Sequence, residues 1–216
     1  MSLLVCSFLI MSPTTNSVVP RIGFRAFKAE RQMEIWAADS DRGPYRLLAK
    51  YPIAAISGDL GPKRREGDLQ APEGFYFINR FNPDSQYFLS LGLNYPNSSD
   101  KKLGDANHLG KDIFIHGKNV SAGCFAMTDP VITVIYHLAM HARDSGQKAI
   151  PVSIFPCRLT TANWTALKKQ YAKRPDLIKF WSTLVPAYTS FERSHLWPRP
   201  HVSDDGRYIW PELGSS

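Results

Sequence analysis

Asp112–Asp129 reads DIFIHGKNVSAGCFAMTD, and the rest of the chain is interpreted as the scaffold for this stretch. Asp112 to Ile115 reads as a short strand, which puts His116 and Gly117 where that strand gives way to a loop. Ser121-Ala122-Gly123-Cys124 follows, and Thr128-Asp129-Pro130 then supplies a capping residue and a first-turn proline, the marks of a helix start. Cys124 is therefore expected just ahead of a helix, facing backbone amides, where an imidazolium from His116 would lower its pKa further. The thiolate, not the thiol, attacks carbonyls. Gly123 lacks a Cβ and so permits a sharp turn and close substrate approach, leaving the amides of Gly123 and Cys124 free to form an oxyanion hole. Each residue also has an ordinary use: unpaired cysteine is among the most buried residue types, and a histidine ending a strand is commonly a hydrogen-bonded side chain.

His116-Gly117 followed by Ser121-x-Gly123-Cys124 resembles the HG…SxGC signature of the YkuD-type L,D-transpeptidase catalytic domain, and Gly123 to Met127, Gly-Cys-Phe-Ala-Met, is similar to its YafK-like branch. The resemblance implies that Cys124 is the nucleophile acylated by a peptidoglycan stem peptide. It implies that His116 is the proton donor and acceptor, that the Gly117 carbonyl orients its imidazole, that the Gly123 amide serves the oxyanion hole and that Ser121 contacts substrate. The common motif has a second histidine two places before the cysteine and an arginine soon after it; this chain has Ala122 and Phe125-Ala126-Met127 instead.

Upstream, Met33 to Tyr51 reads as two strands joined at Asp41-Arg42-Gly43-Pro44, and Pro52 to Ser57 as a third. Gly58 to Asp68 is rich in glycine and charge, but its glycine spacing and the absence of Ser or Thr after the lysine exclude a Walker phosphate loop. Ser57 to Tyr76 instead resembles the SGDLGPK…GD…PEGxY block of the YafK-like branch, which makes Lys63 a candidate for holding a zwitterionic diaminopimelate-type group; a solvated loop is the plainer reading. Phe75 to Asn79 and Tyr87 to Leu91 read as strands. Gly92 to Asn97 has a form that the branch shares, and adds Asn94 and Tyr95 as candidate substrate contacts. Ser98 to Gly110 is polar and reads as a flexible rim or lid carrying His108.

Downstream, Asp129 as cap, Pro130 as first residue, and Val131, Val134, Ile135, Leu138 and Ala142 as one apolar face define a helix that Gly146 ends. His137 and His141 lie one turn apart, but Leu138 stands where a zinc protease needs glutamate, so no metal is expected. Ile150 to Phe155 reads as a last core strand of the catalytic domain. Thr161 to Ala172 and Pro175 to Tyr188 have helical periodicity, and Phe191-Glu192, Pro200, Val202 and Gly206 to Ile209 again resemble the end of YafK-like chains.

A chain of 216 residues with 44% apolar and 21% charged residues can bury one good core and a small appendage, and 16 prolines with 14 glycines favour a loop-rich β scaffold over a helical bundle. The net charge of +7 suits a polyanionic partner. The basic residues are scattered, however, and no nucleic-acid motif accompanies them, so nucleic acid is not expected as a partner. Three cysteines, 6, 124 and 157, make no disulfide framework, and Cys157 is expected as a buried small residue at a strand end. Leu3 to Met11 is an apolar run far too short to span a bilayer; it resembles the core of an export signal without its basic leader, or else a disordered start.

These readings predict an α+β, mainly β chain: an N-terminal export-like or disordered segment over 1–29, an L,D-transpeptidase-like catalytic domain over 30–157 and a helical C-terminal extension over 158–216. The resemblance implies a cysteine acyl transferase or amidase acting on peptidoglycan stem peptides at a diaminopimelate-type residue. Hydrolysis is favoured over 3-3 crosslinking, and a non-catalytic wall-binding module is the alternative that the His116 and Cys124 pair argues against. The expectations include a periplasmic or wall-associated location, a wall-linked lipoprotein as a further partner, a monomer, and no cofactor.

Overall fold

The computed structural model describes residues 21–40 and 42–210. The apolar run Leu3 to Met11, Cys6 within it, and Asp41 of the expected turn lie outside them.

Eight strands form one curled sheet: β1 (Arg21–Phe27), β2 (Gln32–Ala38), β3 (Arg46–Pro52), β4 (Gly74–Ser85), β5 (Phe88–Leu93), β6 (Phe114–His116), β7 (Phe125–Ala126) and β8 (Ile150–Phe155), in the order β3-β2-β1-β8-β4-β5-β6-β7. Neighbours are antiparallel except β1 with β8 and β6 with β7. Both faces of the centre are covered. Along β1, Ile22, Phe24 and Ala26 enter the main core, while Arg25 and Phe27 on the other face meet the C-terminal segment. Val152 and Ile154 of β8 divide from Phe155 in the same way. A strand buried on both sides loses its alternation, which is why RIGFRAF, with two arginines, does not announce itself. Arg21–Phe27 is therefore part of the same sheet, ahead of the boundary expected at residue 29.

The expected strand over Pro52 to Ser57 is replaced by a crossing. After β3 the chain passes to the opposite end of the sheet, where Ala54 N–H donates to Ala126 O (2.8 Å) and Ala126 N–H donates to Ala55 O (3.0 Å). The edge of β7 is thereby covered. Ser98 to Gly110 is also less loose than expected: α1 (Ser98–Leu103) is capped by Asn97, whose side chain accepts from the Ser99 and Asp100 amides while the Asp100 carboxylate accepts from the Asn97 amide.

The helix after the cysteine, α2 (Asp129–Asp144), has Pro130 in its first turn as expected, but Thr128 is its N-cap residue and Asp129 its first. Its buried face is Ile132, Ile135, Tyr136, Ala139 and Ala142, while Val134 is exposed. The helix carries two overlapping apolar stripes at helical spacing, and the one bearing the larger share of small residues is the one that lies against the sheet. On the other face sit α3 (Thr161–Gln170), α4 (Pro175–Ser182) and α5 (Val185–Ser194), with a hairpin of β9 (His201–Val202) and β10 (Tyr208–Ile209). The single helix expected over Pro175 to Tyr188 breaks before Val185, because Pro186 lacks the N–H that a continuous helix would need there. Trp181, Leu184 and Tyr188 pack with Phe27 and Phe155, so the extension shares its core with the sheet.

Candidate functional site

The pleat decides which side chains reach the site. Ile115 of β6 and Phe125 of β7 are paired and both lie in the core, so His116 and Cys124, one place away from each, fall on the opposite face. That face opens into a cleft of about 640 Å³ lined by His116, Ser121, Ala122 and Cys124 on one side. Asn82, Asp84, Ser85, Gln86 and Tyr87 at the β4–β5 hairpin, with Ser90 behind them, line the other.

His116 Nδ1 lies 2.6 Å from the Gly117 carbonyl. An oxygen without a hydrogen can only accept, so Nδ1 carries the proton and Nε2 is left with a free lone pair. The Tyr87 ring lies against the imidazole, tilted 39° to it, with centroids 4.7 Å apart. Burial lowers the His116 pKa, the Gly117 contact opposing it, and burial raises the Cys124 pKa, with the Phe114 amide and the distant Lys63 charge opposing. Both directions favour a neutral thiol beside a neutral imidazole. The expected thiolate–imidazolium pair therefore finds no support in these directions, nor in a contact between the two groups. The sulfur accepts from Phe114 N–H (3.4 Å) and lies 3.8 Å from the Asp112 carbonyl, and among the described residues no hydrogen bond joins it to His116. Helix α2 does not abut the cysteine either, since β7 intervenes.

The turn before Cys124 is held from below. Gly123, at φ 108°, adopts a conformation that side chains disfavour, and an added Cβ would lie 3.1 Å from the Gln70 carbonyl. Its amide donates to Ser57 Oγ at 2.6 Å, and Ser57 in turn donates to Leu69 O (2.7 Å). The expectation of a free Gly123 amide is therefore not met; the Cys124 amide is the one without an acceptor among the described residues. Ser121 Oγ donates to Cys124 O (2.8 Å), closing the turn on itself.

The substrate-contact candidates divide. Ser121 lines the cleft. Lys63 does not: its side chain is buried, with Nζ 2.5 Å from Asp68 Oδ1 and donating to Arg65 O (2.8 Å), so it braces its own loop and is not solvated. Asn94 and Tyr95 are also turned to structure. Asn94 Oδ1 accepts from Phe77 N–H (2.7 Å), Tyr95 OH donates to Leu109 O (3.0 Å), and neither lines the cleft. His108 is exposed beside Asp105 and also lies outside it. Cys157 is buried among the C-terminal helices, its thiol pushed up to about 12 by burial. Tyr87, Ser90 and Ser57 were not singled out by the sequence; Ser57 opens the SGDLGPK block, but only the fold brings it under Gly123.

The Gly58 to Gln70 loop is itself anchored to the extension. Lys28 Nζ donates to the Gly61 (2.8 Å) and Ala71 (2.9 Å) carbonyls and lies 3.1 Å from Glu73 Oε1. Glu73 also accepts from Gly61 N–H (2.7 Å) and from Trp181 Nε1–H of α4 (2.6 Å). Among the described residues no group of three or more His, Cys, Asp or Glu is placed to hold a metal, and no helix is long and apolar enough to cross a membrane.

Comparison with known proteins gives a consistent answer. The family model of the YkuD L,D-transpeptidase catalytic domain matches residues 25–154. The chain is 38% identical over 185 residues to the Escherichia coli (strain K12) protein YafK, provisionally named an L,D-transpeptidase, with 85% of this chain and 71% of that protein covered. The Escherichia coli O157:H7 protein of the same name matches equally. Among solved structures, the chain is similar to a point mutant of the helical cell shape determining protein Pgp2 from Campylobacter jejuni. The TM-score is 0.50 at 20% identity over 86% of this chain and 72% of that one, a likeness of fold.

Proposed function

The chain belongs to the YkuD family of L,D-transpeptidase catalytic domains, and on that premise we propose that it is a cysteine acyl transferase of peptidoglycan stem peptides in which Cys124 is the nucleophile and His116 the acid and base. The observation that carries the reading is the 2.6 Å contact of His116 Nδ1 with the Gly117 carbonyl, in a cleft that Cys124 also lines. It leaves Nε2 as the base facing the reacting groups.

The steps follow from these positions. The Cys124 side chain turns from the Asp112 carbonyl toward His116 and gives its proton to Nε2 as Sγ attacks a stem-peptide carbonyl beside a diaminopimelate-type residue. The carbonyl oxygen becomes an oxyanion that accepts from the Cys124 N–H, the amide without another acceptor. Collapse breaks the C–N bond, His116 hands its proton to the departing amine, and a thioester on Cys124 remains. An incoming amine or water then gives a proton to Nε2, bonds to the acyl carbon and releases the thiol, to which the proton returns. Gly117 holds the imidazole in one tautomer throughout, the part that a carboxylate plays in a serine protease triad.

Water is the favoured acceptor, which makes the outcome an amidase. No lysine or arginine is among the described side chains lining the cleft, which does carry Asp84 and Asp112, and Ala122 stands where the common motif has histidine. An anionic second stem finds nothing there to hold it, whereas a site opening to solvent supplies water. A wall-linked lipoprotein, departing as the amine component, is a fitting leaving group, and the reading puts the protein in the periplasm or at the wall. The test is incubation with defined muropeptides followed by mass spectrometry. Cleaved stems that disappear with Cys124→Ala are expected, new 3-3 crosslinks would replace the amidase reading with transpeptidation, and binding without turnover would leave a wall-binding module.

A further inference from the structure

Ser90 is 2% exposed, lines the catalytic cleft, and its hydroxyl has no hydrogen-bond partner among the described residues. Buried hydroxyls are paired in nearly all cases, because leaving one unpaired forfeits its hydration with nothing in return. Of the three buried side-chain atoms without a hydrogen-bond partner among the described residues, on Arg25, Arg64 and Ser90, only that of Ser90 belongs to a residue lining this cleft.

The sheet shows what stands beside Ser90. Ser90 of β5 is opposite His116 of β6 in the register, and Asn82 of β4 is opposite Ser90 on its other side. Directly opposed residues of antiparallel strands project from the same face with Cβ atoms about 4.5–5.5 Å apart. Asn82, Ser90 and His116 thus form one row across three strands, and all three line the cleft. Leu91, one place along from Ser90, lies in the core, which confirms the face. The imidazole is pinned at Nδ1 by Gly117 and has the Tyr87 ring against it, and of the other two residues in the row Ser90 is the one next to His116.

We propose that Ser90 holds the nucleophile of the second half-reaction, the water or amine that resolves the acyl-enzyme. The inference rests on the acyl-enzyme reading above. The nucleophile has two protons to place. One goes to His116 Nε2 as the new bond to the acyl carbon forms and the C–Sγ bond breaks; the other is held by Ser90 Oγ as acceptor, which aims the lone pair at the carbonyl. Ser90 itself neither gains nor loses a proton, and the proton on His116 passes to the departing sulfur. Acylation makes no such demand, since the attacking atom there is Sγ, so the residue acts on one half-reaction.

The experiment is pre-steady-state intact-mass spectrometry on the full chain with a diaminopimelate-containing stem tetrapeptide, following acyl-enzyme formation and decay separately. Ser90→Ala is expected to form acyl-enzyme within twofold of the wild-type rate and to resolve it at least tenfold more slowly, so that the thioester accumulates. Its thermal midpoint should equal or exceed the wild-type value, because an unpaired hydroxyl has been removed. A residue needed only for packing predicts the opposite pattern: a lowered midpoint with both steps slowed together. That pattern, or resolution at the wild-type rate, overturns the proposal while the acyl-enzyme reading stands. Failure of the wild-type protein to form any thioester overturns the underlying reading itself.

Discussion

Replacing Glu73 by glutamine should weaken the protein far more than an ordinary charge removal, because of where its partners sit. The Glu73 side chain is fully buried and that of Lys28 is 3% exposed, and the carboxylate is shared among Lys28 Nζ, Gly61 N–H and Trp181 Nε1–H. Exposed ion pairs contribute about 0–1 kcal/mol, whereas breaking a buried pair by removing one partner costs about 3–5 kcal/mol, since the other charge is left in a medium that cannot solvate it. Gly61 N–H and Trp181 Nε1–H donate to different carboxylate oxygens, Oε1 and Oε2, so a glutamine leaves one of these two donors facing its own NH2 group, which puts the expected loss toward the upper end of that range. With a urea slope of about 2 kcal/mol per molar, this moves the unfolding midpoint down by about 2 M. The pH dependence has a fixed sign. Burial already lowers the Lys28 pKa, and Glu73 opposes that shift. Without the carboxylate the ammonium penalty is fully present below the new folded pKa and fades as pH rises toward the ordinary lysine value of about 10.4, so the deficit should shrink on the alkaline side. Equilibrium urea unfolding followed by tryptophan fluorescence at several pH values measures it, together with the cycle through Lys28→Met. A loss below about 1 kcal/mol, or single and double variants that add without coupling, would refute the claim that this charge pair ties the Gly58 to Gln70 loop to α4.

Iodoacetamide labelling of Cys124 should rise only on the alkaline side of the ordinary thiol pKa of about 8.5, because burial raises its pKa; fast labelling at pH 6 that His116→Ala abolishes would restore the preformed ion pair. Asp100, pushed up to about 6 by burial, binds its proton more tightly folded than unfolded, so its ionisation lowers stability as pH rises from about 4 to 6. The span is worth about 3 kcal/mol, and Asp100→Asn should flatten that part of the thermal-melt profile; an unchanged profile would count against the shift. Gly23→Ala would put a methyl 2.5 Å from the Trp197 ring, an overpacking worth about 1–3 kcal/mol. Trp197→Ala in the same chain should recover part of it, and full additivity in chemical unfolding would show that the two do not touch.

Cys124 and His116, the proposed nucleophile and base, could be singled out because they sit in one contiguous stretch: a three-residue strand, a turn and a proline-led helix, each with a local signature. β8 and the β2–β3 hairpin were legible for the same reason. What escaped is what the third dimension decides. β1 lost its alternation by being buried on both faces. The face of α2 was read in part: Val131, Ile135, Leu138 and Ala142 meet the core, but Val134 at the same spacing is exposed, and Ile132, Tyr136 and Ala139 were missed. Lys63, Asn94 and Tyr95 belong to motifs that the family resemblance picks out, yet Asp68, Phe77 and Leu109 claim their polar atoms. The upward push on the Cys124 pKa comes from burial, which no spacing reveals. Ser57 and Ser90 meet Gly123 and His116 only through a loop crossing and a strand register.

The parallel pairing of β1 with β8 has a consequence in time. Phe24 lies beside Val152, more than half the chain length away, so the strand made first has no sheet to join on that side until the residues through Phe155 have been synthesised. The β1–β2–β3 meander can form early by local contacts, but it stays an open three-stranded fragment with β1 as a bare apolar edge, and β4 waits for the same late partner. Closing such a long loop is slow compared with hairpin formation. The nascent chain therefore spends most of its synthesis unable to complete its core, and the turn that carries Cys124, which needs both the Ala54–Ala55 crossing and the β6–β7 pair, is assembled within a sheet whose centre closes last.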